Sequence, residues 1–157
     1  SGPWRDFYLT GAQELRHGHP QMTVSSTAAP DTVAAMTTEM LLDYLGVRID
    51  GLAAAERTWA IDLTATDRDE RWRVGIEHGA LHAIRLEADP EGLPPADVAL
   101  TADHAPLARL LFAPDAVAEL AALVEAGAVA VSGDRSALDA FLATLDGFTL
   151  MFPIVTP

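Results

Sequence analysis

A chain of 157 residues, half of them apolar, is long enough for one domain or for one domain with an arm. Its net charge of −13 argues against nucleic acid, whose phosphates ask for a basic face, and against docking on anionic membrane surfaces. The lack of cysteine removes disulfides, thiolate metal sites and a cysteine nucleophile, and it leaves the compartment open.

Residues 1–18, "SGPWRDFYLTGAQELRHG", read as an amphipathic helical arm with Trp4, Phe7, Tyr8 and Leu15 on or near one stripe. The opening residues show no signal-peptide pattern, and no apolar run approaches the roughly 20 residues of a membrane span. Residues 19–35, rich in Pro, Ser, Thr and Ala and without a period, read as a linker. The body, residues 36–157, opens with "MTTEMLLDYLGVRIDG". Thr37 suits an N-cap, Met40, Leu41, Tyr44 and Leu45 form the buried stripe, and Gly51 closes the region.

Strands follow. "RTWAIDLTAT" alternates Trp59, Ile61, Leu63 and Ala65 with polar residues, as a half-buried strand does. "RWRVGIEH" repeats the pattern with Trp72, Val74 and Ile76 inside and Arg71, Arg73 and Glu77 outside. "GALHAIRLEA" and "ADVALTA" complete four strands, which short connections turn into a meander. Helices return at "DHAPLARLLFA", with Asp103 a candidate cap, and at "PDAVAELAALVEAG", with Val117, Leu120, Ala121 and Val124 inward. A short fifth strand, "AVAVSG", precedes "DRSALDAFLATLDG", whose inward face is Leu138, Phe141, Leu142 and Leu145. The fold class is therefore α+β: about five strands, mainly antiparallel, with helices on one face.

The stretches "MTTEMLLDYLGVRIDG", "VAVSGDRSALDAFLATLDGF" and the terminal "IVTP" resemble the C-terminal domain of bacterial alkyl sulfatases, which is similar to sterol carrier protein type two. "WRDFYLTGAQELRHG" resembles the end of the dimerisation domain that precedes it in those enzymes. The resemblance implies a parent hydrolase of the metallo-β-lactamase superfamily whose catalytic domain holds two zinc ions. It also implies partners for this chain: those catalytic and dimerisation domains, and a second copy met through the arm. The metal domain of that family uses H-x-H-x-D-H. Here His17-Gly18-His19 lacks the D-H half, and His78, His82 and His104 read as solvent-facing or turn histidines. No catalytic residue, metal ligand or cofactor is expected in this chain.

Two polar stretches read as structure. "SGDRS" is a helix cap by Asp134 rather than an anion nest, and Asp67, Asp69 and Glu70 make a solvated hairpin turn rather than a calcium loop. The apolar surplus has a further use, because a sheet with helices on one face can enclose a cleft, and in the carrier fold that cleft holds an acyl or sterol chain. Candidate walls for an alkyl or lipid-like molecule are Leu41, Leu45, Trp59, Ile61, Leu110, Leu111, Phe112, Phe148, Leu150 and Phe152. The uncharged tail, read as extended and covered on both sides, serves either as core or as ligand wall. Three readings stay open: an apolar-ligand domain of an alkyl sulfatase, a structural domain that caps the active site with a filled core, and a free-standing lipid carrier.

Overall fold

The computed structural model describes residues 1–19, 30–87, 92–147 and 153–155. Residues Ser1–Thr27 with Phe148–Pro157 form one compact unit, and Ala28–Gly147 form another.

The larger unit begins with α2 (Pro30–Ala35), a short helix inside the stretch read as linker. Proline suits the first helical position because the missing N–H would be unbonded there in any case. Next come α3 (Thr38–Arg48) and α4 (Gly51–Ala54). Thr37 caps α3 by accepting from the Met40 N–H at 3.2 Å. The buried face of α3 is Leu41, Leu42 and Leu45, so Met40, expected inward, turns out to solvent. Gly51 does not close a helix. It opens α4, where the Asp50 carboxylate accepts from the N–H groups of Leu52 and Ala53.

Five strands follow: β1 (Trp59–Ala65), β2 (Glu70–Glu77), β3 (Ala80–Arg85), β4 (Val98–Ala102) and β5 (Val129–Gly133). Their order in the sheet is β3-β2-β1-β4-β5. The meander therefore stops at β3. β4 returns to lie parallel beside β1, with Ile61 level with Val98. A parallel neighbour needs a long crossover, and the connection from Leu86 to Asp97 supplies it. The return places β1, whose Trp59, Ile61, Leu63 and Ala65 are all buried, at the centre of the sheet.

The remaining helices are α5 (His104–Phe112), α6 (Ala116–Glu125) and α7 (Arg135–Leu142). Asp134 caps α7, accepting from the N–H groups of Ser136 and Ala137, as the sequence indicates. Those bonds, the Ser136 side chain's first, hold the Asp134 carboxyl below its usual range. The inward face of α6 is Ala116, Leu120 and Leu123, one step round from the expected stripe, and Val124 is partly exposed. These faces and the inward residues of β1, β2 and β4 join in one apolar core.

Arg73, expected outside, is only 6% exposed. It lies opposite Asp62 on β1 and binds that carboxylate with two nitrogens, while Nη1 donates to the Pro94 carbonyl at 2.8 Å. Alternation predicts an arginine on the solvent face, but matched acceptors let it be covered.

In the smaller unit, α1 (Gly2–His17) buries Gly11 and Glu14. The Ile154 N–H donates to the Glu14 carboxylate at 2.8 Å, and a Cβ at Gly11 would meet Val155 at 3.1 Å. Trp4, Phe7 and Tyr8 are exposed, with Trp4 and Tyr8 stacked at 6.2 Å between centroids. Val155 is about half exposed, so the described end of the tail is not covered on both sides. Phe148, Leu150 and Phe152 lie outside the described residues.

Candidate functional site

The seven described wall residues come together, but as core. Leu41 and Leu45 lie on α3, Trp59 and Ile61 on β1, and Leu110 and Leu111 on α5, which packs on α3. None of these six is more than 5% exposed, and all belong to the same cluster. Phe112 is partly buried and lies flat on Tyr44, with ring centroids 4.4 Å apart and planes within 2°. Trp59 meets Phe141 of α7 edge-on at 5.9 Å, a contact that adds Phe141 to the group.

Arg48 sits at the lower end of this layer and is 3% exposed. Its Nε donates to the Asp146 carbonyl at 2.7 Å, Nη1 to Leu111 at 2.5 Å and Nη2 to Ala113 at 3.1 Å. Burial pulls its pKa down, with Tyr44 and Asp146 opposing, yet a guanidinium stays charged in proteins. Sequence reasoning passes over it, since arginine in the last turn of a helix is read as an exposed partner of the dipole. The segment 144–146 pairs with 48–50 here: Asp50 N–H donates to Thr144 and Asp146 N–H to Arg48.

A cleft of about 270 Å³ opens between α3 and the β2–β3 edge, lined by Leu42, Trp72, Leu81 and Ala83 below and Glu39 and Asp43 beside it. The sequence gives no sign of it, because its walls come from distant elements. None of the predicted wall residues lines it.

The histidines do not converge. His78 occupies the β2–β3 turn at φ 52°, and His82 on β3 lies against Gly75, where a Cβ would come within 2.1 Å of the ring. His104 corrects the expectation of a solvent-facing or turn residue: it is 3% exposed at the start of α5. Its backbone N–H donates to the Asp67 carboxylate at 2.7 Å. Asp67 thus caps α5 from the 3-10 turn at Thr66–Arg68, while Asp103, the expected cap, instead accepts from the Thr66 hydroxyl. Among the described residues no group of three or more His, Asp or Glu is poised to hold a metal ion. They do not fit a zinc centre, and no chemical step is assigned to one.

The sheet order and one-sided helices define a sterol-carrier-type α+β fold. The ubiquinone synthesis protein UbiJ-SCP2, 19% identical, matches it over 73% of this chain and 93% of its own with a TM-score of 0.52. Within that class the chain belongs to the alkyl sulfatase C-terminal family, which it matches over residues 26–157. It is 33% identical over its whole length to a linear primary-alkylsulfatase of Pseudomonas, and 30% identical over 98% of its length to an (R)-specific secondary-alkylsulfatase of Pseudomonas. It spans 22% of the length of each. The stereoselective inverting sec-alkylsulfatase Pisa1 from Pseudomonas superimposes with a TM-score of 0.74 at 28% identity, over 98% of this chain and 23% of that one.

Proposed function

We propose that this chain is the non-catalytic C-terminal part of an alkylsulfatase-type hydrolase and holds the hydrophobic tail of an alkyl sulfate. The chemistry, with its two zinc ions, belongs to a catalytic part outside this chain. The observation that carries the reading is the match to a primary-alkylsulfatase along the whole chain but only 22% of that relative. Both Pseudomonas relatives that carry a matching piece are named for alkyl substrates. The exposed ring face of α1 then belongs against the dimerisation part or a second copy.

An apolar chain is recognised by the area it removes from water, about 0.8 kcal/mol per methylene. The candidate walls of the larger unit are Leu41 and Leu45 of α3, Trp59 and Ile61 of β1, and Leu110, Leu111 and Phe112 of α5, to which the sequence reading adds Phe148, Leu150 and Phe152. A head group carrying negative charge gains nothing from a fragment of charge −13, so the isolated chain prefers neutral amphiphiles.

A second reading has its own support. Six walls that are each at most 5% exposed already pack on one another, as they would in a structural domain with a filled core. Titration calorimetry with decyl, dodecyl and tetradecyl alcohol below their aggregation limits separates the two. Ligand binding predicts saturable uptake that tightens about fourfold per added methylene. Absence of saturable uptake overturns the first reading in favour of the second.

A further inference from the structure

We propose that His104 is the pin of an acid-sensitive latch: proton uptake by its buried ring unfastens the α2–α3 turn and the first turn of α5 from the β1–β2 connection. The latch is independent of the ligand reading and rests on this corner of the larger unit alone.

Three elements meet there. The α2–α3 turn brings the Met36 carbonyl and the Thr38 hydroxyl. The 3-10 turn between β1 and β2 brings Asp67 and Arg68. The start of α5 brings His104. Arg68 Nη1 donates to the Met36 carbonyl at 3.2 Å, and the Asp67 carboxylate accepts the His104 backbone N–H at 2.7 Å. α2 also packs on α5. Within this frame the His104 ring is enclosed, and neither Nδ1 nor Nε2 has a partner in hydrogen-bonding geometry. Thr38 is 2% exposed, and its hydroxyl acts on the Glu70 carboxyl, whose pKa it lowers. The Met36 carbonyl, which accepts from Arg68, also lies close enough to act on the ring, though outside hydrogen-bonding geometry.

A neutral ring tolerates such a place at the loss of one or two hydrogen bonds. An imidazolium does not, because it carries a full charge and a second N–H into the same enclosure. The charged groups that act on the ring are Arg68 and Asp67 from the 3-10 turn and Glu70 from β2. Asp103, beside it in sequence, is engaged by the Thr66 hydroxyl. Burial is the largest influence and lowers the His104 pKa; Arg68 lowers it further, against Asp67, the Met36 carbonyl and Glu70. A base whose folded pKa is depressed stabilises the closed state fully above its unfolded value. That stability is lost as pH falls through the folded value, because the open form takes the proton first. The latch is therefore shut at neutral pH and loosens in acid.

Hydrogen exchange on the full chain tests this at about pH 7.5 and about pH 5.5, which bracket the ordinary imidazole range. After correction for intrinsic exchange, protection at 31–38 and 104–108 should fall severalfold at the lower pH while β1 and β2 keep theirs. In His104→Leu the difference between the two pH values should vanish. Equal protection at both pH values in the natural chain overturns the latch, as does an undiminished acid loss in His104→Leu, which would assign it to the carboxylates. Should the leucine variant not fold, proton NMR of the His104 ring in the natural chain decides. Titration in step with the opening supports the latch, and titration at the ordinary imidazole value with protection unchanged overturns it.

Discussion

Each end of α5 meets a buried nitrogen base, and the two are treated in opposite ways. At the C-terminal end the Arg48 guanidinium is charged and donates to three backbone carbonyls, two of them from the unbonded end of α5 itself. At the N-terminal end the His104 ring has no partner for either nitrogen. The difference follows from the helix. Its last turn offers spare acceptors and negative partial charge, which suit a cation. Its first turn offers N–H donors and positive partial charge, which suit the Asp67 carboxylate and disfavour an imidazolium. Burial of a basic side chain thus says little by itself. What matters is which end of a helix it faces.

The sharpest way to break this comparison is Arg48→Ala. It orphans carbonyls of Leu111, Ala113 and Asp146 at once and frees the 144–146 segment from its anchor. A loss of about 4 kcal/mol in urea unfolding is expected. Arg48→Lys should recover only part of it, since one ammonium on a flexible stem cannot span a three-way fork. If alanine is tolerated within about 1 kcal/mol, the guanidinium is not the organising group of that end.

Leu110→Ala cuts the same helix between its two ends. Leu110 is fully buried and belongs to the main core, so the deletion should lower stability by about 3 kcal/mol. It also bears on the ligand reading. If a neutral amphiphile binds the natural chain, the added space should change its chain-length optimum in calorimetry, whereas a filled structural core changes stability alone.

Asp67→Ala is the next smaller effect. It removes the carboxylate that accepts the His104 backbone N–H, and about 1 kcal/mol is the usual loss for a helix cap. The loss should appear in thermal melts at pH 7.5, and local protection should drop first in the opening turn of α5.

Much of this was readable in advance, and the exceptions share a cause. Five strands, four longer helices of the body and the Asp134 cap follow from period and capping chemistry, which are local. The failures are long-range. β4 pairs with β1 rather than β3, because strand order depends on a crossover that alternation does not encode. Arg73 and His104 are buried because partners or walls come from elements far away in sequence, Pro94 for one and the α2–α3 turn for the other. Sequence proximity points to Asp103 as the cap of α5, whereas Asp67, from the β1–β2 connection, accepts the His104 backbone N–H. For the candidate site, alternation marks the inward residues of β1, while the α3 stripe wrongly includes Met40; and inwardness alone does not distinguish a packed core from a pocket wall.

The smallest expected change sharpens the comparison most. His104→Leu at pH 7.5 should shift stability by less than about 1 kcal/mol, because an enclosed side chain of similar size replaces one that makes no side-chain hydrogen bond. Arg48→Leu, a like-for-like test at the other end, should remain strongly destabilising, because the three carbonyls lose their donors whatever packs in their place. The contrast reverses in acid. Below the folded pKa of His104 the natural chain has lost the stabilisation that comes from a neutral ring, while the leucine variant has nothing at that position to titrate. His104→Leu should therefore be the more stable of the two at pH 5.5. If the natural chain stays ahead there, the ring has found an acceptor on charging, with Glu70 or Asp67 the available carboxylates, and the unpartnered end of α5 would be a proton store rather than a latch.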